Sequence, residues 1–172
     1  MELIREINDS DIGYTCKSEG IAYKLRKASR TIVLDAFGKI ALLYVSKNNY
    51  HKLPGGGIEA DEDIEIALNR EVMEEVGVKI HVLGEVGMII EYRDEFKQLQ
   101  ISYCYYSEVI GEVSKPTFTD KEMSDGFQLK WVPLEEAVNI LENDRPNNYM
   151  GKFIQSRDLL FLKKAYEILK NS

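Results

Sequence analysis

Apolar residues along this chain follow two rhythms, one of period two and one near 3.6. Residues 31–35 (TIVLD) and 39–45 (KIALLYV) alternate on either side of Phe37-Gly38, which predicts a hairpin. Residues 49–53 approach a run of three glycines as a further strand, and 127–132 (FQLKWV) form another. Two longer stretches, 78–93 and 98–110, are rich in β-branched and aromatic residues and flank the polar turn Asp94-Glu95-Phe96-Lys97, so they read as paired strands. The helical rhythm appears three times. Leu68, Val72 and Val76 form an apolar stripe in a helix expected over residues 61–76. Pro133 starts a second helix running to about Leu141. Leu159, Leu160, Leu162, Ala165, Tyr166 and Leu169 recur at helical spacing over 156–169 and read as core contacts of a third. Residues 1–19 are polar and suit a short strand or arm, and 114–126 read as a loop. Helices on both sides of such strands predict an α/β/α sandwich around a mixed β-sheet.

The first helix carries chemistry as well as a stripe. Glu71, Glu74 and Glu75 stand at i, i+3 and i+4, which places three carboxylates on one helix face. Like charges at that spacing each cost a few tenths of a kcal/mol, and only Arg70 and Lys79 stand close enough in sequence to offset them. The cluster is therefore expected to repel itself unless a cation sits on it. Hard carboxylate oxygens suit Mg²⁺ or Mn²⁺ better than a soft metal. The competing reading is a salt-bridged, solvated helix face. Register decides between them: Gly56, Glu62, Arg70-Glu71, Glu74-Glu75 and Gly77 fall in place together, with aliphatic Val72 and Val78. Such a coincidence has odds of roughly one in a million from residue usage. Gly77 follows the last periodic residue and suits a left-handed helix cap. Asp61, Glu62 and Asp63 complement the dipole at the other end. Gly55, Gly56 and Gly57 let the backbone take positive φ and approach a ligand closely.

This pattern resembles the Nudix box without substitution, and Leu53-Pro54-Gly55 ahead of it also fits that family. The resemblance covers about residues 25–165, leaving 1–24 as an N-terminal arm and 166–172 as the end of the last helix. It implies the Nudix fold and a hydrolase that cleaves a diphosphate bond in a nucleoside diphosphate linked to another group. It also implies a Mg²⁺ (or Mn²⁺) site made of the Gly55 carbonyl, Glu71, Glu74 and Glu75. Arg70 and Glu62 would brace loop and helix, Gly56 and Gly77 serve as structural positions, and Glu59 is an outer candidate. Glu74 and Arg70 are candidate catalytic residues of the box. A water-activating base in this family often comes from a later loop, and TDKEMSD at 119–125 supplies Glu122, with Asp120 as the alternative; a solvated acidic loop is the competing reading. No proline lies between Pro54 and Pro116, unlike the ADP-ribose branch of the family, and the NADH and coenzyme A signatures are also missing. Tyr92 stands too close to the box for the dinucleoside-polyphosphate pattern. A MutT-like nucleoside triphosphate pyrophosphohydrolase remains, with oxidised nucleotides among its candidate substrates. The alternative of another class is a non-catalytic, nucleotide-sensing Nudix module, which usually shows a degraded box or a fused DNA-binding domain. An isopentenyl-diphosphate isomerase-like chain would interrupt the box.

Composition narrows the rest. At 172 residues and 44% hydrophobic, one compact domain with a proper core is expected. A net charge of −7 argues against a polymeric nucleic acid partner while leaving room for a phosphorylated small molecule. No apolar run approaches membrane-spanning length and the N-terminus lacks signal-peptide character, so a cytoplasmic protein is expected. A homodimer is compatible with the sequence. Cys16 and Cys104 have no metal or disulfide spacing, and His51 and His81 form no ligand pair. Lys24, Arg26, Lys27 and Arg30, together with Lys47 and Lys52 ahead of the glycines, are candidate phosphate contacts, with a solvated face the alternative for each. Phe37, Tyr50, Trp131 and Tyr149 are candidates to stack on a base.

Overall fold

A computed structural model describes residues 1–17 and 20–171. The elements in chain order are β1 (Leu3–Ile7), β2 (Lys24–Leu34), β3 (Lys39–Val45), β4 (Tyr50–Lys52), β5 (Gly55–Gly57), α1 (Ile64–Val76), β6 (Lys79–Arg93), β7 (Gln98–Ile110), α2 (Asp120–Ser124), β8 (Phe127–Pro133), α3 (Leu134–Asn143) and α4 (Tyr149–Lys170). The strands join in one mixed sheet of order β1-β6-β7-β2-β3-β4, with β5 on β2 and β8 on β3. β6 and β7 form the expected antiparallel pair, while β1 joins β6 and β2 joins β7 in parallel. The expected hairpin between β2 and β3 closes only at Leu34 and Ile40. Beyond that pair the strands part, β2 following β7 along its whole length while β3 pairs with β4 and β8.

The strand alternation sends neighbouring residues to opposite layers. Ile32, Ile40 and Leu42 pack with Phe153, Phe161 and Leu162 of α4 and with Ala137 and Leu141 of α3. Val33 and Ala41 pack on the other face with Leu68, Val72 and Val76 of α1. The sandwich is α/β/α as expected. The N-terminal residues are built into it: β1 is an edge strand, and Ile7 is fully buried in the α4-side core.

Local chemistry sets the helix ends. Asp63, not Asp61, is the N-cap of α1, its side chain accepting from the Ile66 amide at 2.8 Å. Gly77 ends the helix at φ +76° and donates to the Val72 and Met73 carbonyls. A Cβ at Gly77 would lie 2.4 Å from the Ser114 carbonyl oxygen, so only glycine fits. Ser114 in turn donates through N and Oγ to the Gly77 carbonyl, and the Thr117 amide donates to the Glu74 carbonyl. The loop after β7 is thereby tied to the end of the box helix. That loop contains α2, which a capping box starts: the Thr119 side chain accepts from the Glu122 amide, and the Glu122 carboxylate accepts from the Thr119 amide at 2.8 Å. α4 begins two turns earlier than its leucine pattern suggests, capped by Asn148.

Candidate active site

β5 runs antiparallel to β2, with Arg30 opposite Gly55 and Ala28 opposite Gly57. This brings the glycine turn, Glu71 and Glu75 of α1 and the inward face of β2 around one cleft of about 370 Å³, also lined by residues of α2 and α4; Glu74 stays outside the lining. A larger groove of about 820 Å³ between α3 and α4 contains no box residue.

The three box glutamates have different surroundings. Glu71 lies beneath Gly56, where an added Cβ would fall 2.2 Å from its Oε1; the glycine exists to admit the carboxylate. Glu74 is the most exposed of the three, and its carboxyl is pushed up by partial burial and then by the negative charge of Glu71, Glu122 and Glu59. Glu75 is 1% exposed and accepts from the Gly55 amide at 2.7 Å. Burial pushes its carboxyl up while Lys52 pulls it back. Arg70 forms a two-pronged pair with Glu62, donates to Glu71 Oε1 at 2.9 Å and reaches the Gly57 carbonyl. Its hydrogen bonds hold the Glu62 carboxyl down at about 2. These hydrogen bonds of Arg70 tie Glu62 and the glycine turn to the helix. Glu59 is exposed and donates its amide to Glu62.

The expected self-repulsion of the acidic face is met by a cation that local sequence did not offer. Lys52, at the end of β4, is buried and donates to Glu75 Oε1 at 2.5 Å and to the Gly55 carbonyl at 3.2 Å. An ammonium thus bridges two of the four expected metal donors. Among the described residues, no group of three or more acidic, His or Cys side chains is gathered as a metal cage. The donors nonetheless fit a hard divalent cation. All are oxygens, Gly56 makes room for one of them, and the lysine shows that positive charge is accepted between Gly55 and Glu75.

The other candidates separate. Glu122 lines the cleft, whereas Asp120 is exposed and stays outside it. Lys47 lies on the surface in an ion pair with Asp125 at 3.1 Å, not in the cleft. Of the four aromatics, Tyr50 alone lines the cleft. Phe37 is 87% exposed at the β2–β3 turn, Trp131 packs in the α1-side core, and the Tyr149 hydroxyl donates to Asp9. Lys24 and Lys27 are exposed, but Arg26 and Arg30 turn into the cleft. Lys121 and Asp125, from the loop singled out for its acidic residues, also line the cleft; Arg93, Gln98, Phe127, Met150 and Ile154 complete the lining, and sequence reasoning missed these five. The one signal was a charged residue, Arg93, at an inward strand position. Cys104 is fully buried, with its thiol raised well above the usual range by burial, and His51 is paired with Asp144 at 2.9 Å; neither lines the cleft.

A family description, NUDIX domain, matches residues 24–155 of this chain. The chain belongs to the Nudix family. Mouse diphosphoinositol polyphosphate phosphohydrolase 3-alpha is 27% identical over 108 residues, a match spanning 61% of this chain and 62% of the mouse protein. Nudix hydrolase 12, mitochondrial, of Arabidopsis thaliana is 29% identical over 159 residues, covering 78% of each chain. The C. elegans Ap4A hydrolase structure superposes with a TM-score of 0.59 at 17% identity, over 85% of this chain and 99% of that one, a likeness of fold. The Nudix box of this chain is residues 56–78, and its bracing by Arg70 and Glu62 is now explicit in distances.

Proposed function

We propose that this Nudix protein is a Mg²⁺- or Mn²⁺-dependent hydrolase that cleaves a diphosphate bond in a nucleoside diphosphate linked to another group. A MutT-like nucleoside triphosphate pyrophosphohydrolase is the specific reading, acting on small-molecule nucleotides in the cytoplasm. One observation carries it: an unbroken box folded around a cleft whose opposite wall is lined by arginines. The names of similar proteins, a diphosphoinositol polyphosphate phosphohydrolase and an Ap4A hydrolase, support phosphoric anhydride hydrolysis. Among the described residues no helix is long and apolar enough to cross a membrane.

Gly55 through its carbonyl, with Glu71, Glu74 and Glu75, would hold the metal. When bound, it supplies charge neutralisation for diphosphate oxygens and favours ionisation of a nearby water. The chain's own residues do the remainder. Arginines on the cleft wall orient the anionic substrate, and the α2 cap fixes Glu122 at the cleft edge. Glu122 takes the proton of a water whose oxygen bonds to phosphorus as the bridging P–O bond breaks. Arg70 holds Glu71 and the glycine turn in place during that step. Lys52 holds Glu75 and the Gly55 carbonyl, and would have to give up those contacts for the same oxygens to hold a cation, which would leave its ammonium free within the cleft.

The test is a panel of nucleoside triphosphates, oxidised nucleotides, nucleotide sugars and dinucleoside polyphosphates, scored for released phosphate or pyrophosphate with Mg²⁺ and with chelator. Metal-dependent release from one class is expected. Nucleotide binding without turnover of any member would instead establish the nucleotide-sensing module.

A further inference from the structure

The wall of the cleft opposite the box holds more positive charge than the protein neutralises. The buried carboxylates there are already paired. Glu75 is bound by Lys52, Glu91 by Arg93 and Arg157, and Asp158 by Arg157 and the Leu53 amide. The more exposed acids of the lining are engaged too, Glu71 by Arg70, Glu122 in its cap, and Asp125 by Lys47 and Lys121. Arg30 is left over. It is 5% exposed, and among the described residues its only side-chain hydrogen bond is a 3.5 Å contact to the Ser29 carbonyl and its Nε has no partner. Burial, and then the charge of Arg157, lowers its pKa to about 10, with the already paired Asp158 and Glu75 offsetting only part of that. Arg26 is half-buried against Gly57 and donates to the neutral Gln100 side chain. Arg93 leaves its own Nε unpartnered.

A buried guanidinium without a counter-charge costs several kcal/mol, so its retention calls for an anion that the chain itself does not contain. Two unpaired guanidiniums match the charge of a phosphate, about −1.5 to −2 near neutral pH. The guanidinium fork also suits phosphate oxygens. The arginines form a row rather than a point. Arg26 and Arg30 are four residues apart on β2, roughly 13 Å along an extended strand. Arg30 faces Gly55 in register, whereas Arg26 lies opposite Gln100 and beside the β6 end that carries Arg93. The Arg26 guanidinium lies against Gly57, two residues along β5 from the Gly55 that faces Arg30, so positive charge continues past the glycine turn towards the β6 end.

We propose that Arg26, Arg30 and Arg93 form a subsite for a phosphate group of the substrate additional to the two joined by the scissile anhydride. Assigning that phosphate to a diphosphate substrate rests on the hydrolase reading above; the anion site itself does not. The cleft then selects compounds with three or more phosphates over simple diphosphates.

Binding is tested first without metal or turnover. Wild type, Arg30→Met and Arg26→Gln are melted in chelator with sodium phosphate or with sodium chloride at equal ionic strength. Phosphate should raise the wild-type melting temperature beyond chloride, and both variants should lose most of that increment. In chloride, Arg30→Met should melt at or above wild type, because a buried unpaired charge has gone; a structural arginine predicts the reverse. Kinetics with Mg²⁺ then compare a nucleoside triphosphate with its diphosphate. Wild type should prefer the triphosphate, and Arg26→Gln should raise its KM about 10–100-fold, the loss of one charge-assisted hydrogen bond. Equal effects of phosphate and chloride on wild type, or an undiminished phosphate increment in both variants, would overturn the subsite. A phosphate increment lost in the variants, with no diphosphate hydrolysed at all, upholds the subsite and removes the hydrolase reading instead.

Discussion

Lys52→Met isolates the contact that organises the metal-free box. The substitution removes the ammonium from Glu75 Oε1 and the Gly55 carbonyl but keeps an unbranched side chain of similar length. Glu75, at 1% exposure, then keeps the Gly55 amide as its remaining donor. A lone buried carboxylate is costly enough to neutralise by taking up a proton. The penalty is therefore capped by the cost of protonating a group whose ordinary value is 4.5. At 1.36 kcal/mol per unit that cap is about 3.4 kcal/mol at pH 7 and about 0.7 kcal/mol at pH 5. The intact pair is taken as roughly neutral relative to an apolar one. The sign is definite. Burial already raises Glu75 above 4.5 in wild type; without Lys52 it rises further, so the variant's native state holds the extra proton to higher pH and loses more stability as pH rises. Urea unfolding of both proteins in chelator at pH 5, 6 and 7 reads this directly. The deficit of Lys52→Met should grow with pH, by up to about 1.4 kcal/mol per unit where Glu75 is ionised in wild type and protonated in the variant, and level off above the variant's folded pKa. A deficit independent of pH, or none at pH 7, would show that Lys52 does not neutralise Glu75.

Glu122→Gln preserves the α2 capping box, because glutamine serves at that position, and removes the carboxylate proposed as the base. It should lower kcat about 10²–10⁴-fold with the melting temperature unchanged; an unaltered kcat would exclude Glu122 as the base. Arg70→Gln should let the Glu62 carboxyl climb from about 2 towards 4.5, followed by NMR titration of the side-chain carboxyl. A depressed carboxylate stabilises above pH 4.5 and that stability is lost as pH falls towards 2, so the variant should lose less stability than wild type across this window. Identical acid slopes would contradict the brace. Gly77→Ala forces a side chain into a φ +76° position against the Ser114 carbonyl and should cost about 2–4 kcal/mol in denaturant unfolding.

What the sequence determined by itself is what depends on residues close together along the chain. The i, i+3, i+4 carboxylates, the stripe of Leu68, Val72 and Val76, and the Gly77 cap are all fixed by helix geometry within a few turns. The α/β/α layering followed from period alone. The start of α1 was read three residues early because Asp61, Glu62 and Asp63 all suit a first turn, and only Asp63 caps it. α2 escaped because five residues are too few for a period, although Thr119 and Glu122 already spelled its capping box. The first two turns of α4 escaped because their apolar residues are Tyr149, Met150, Phe153 and Ile154 rather than leucines. Tertiary structure alone decided who meets the acidic face and what the basic residues are for. Lys52 and Glu75 are 23 residues apart and meet because β4, β5 and α1 converge on one end of the sheet. Arg26 and Arg93 come together because β2 joins β7 in parallel instead of completing its hairpin with β3. The strength of a charge depends on its burial and on its partners. Both are set by long-range strand pairing, so the same arginine reads in sequence as a solvated residue and in the fold as an unpaired buried cation.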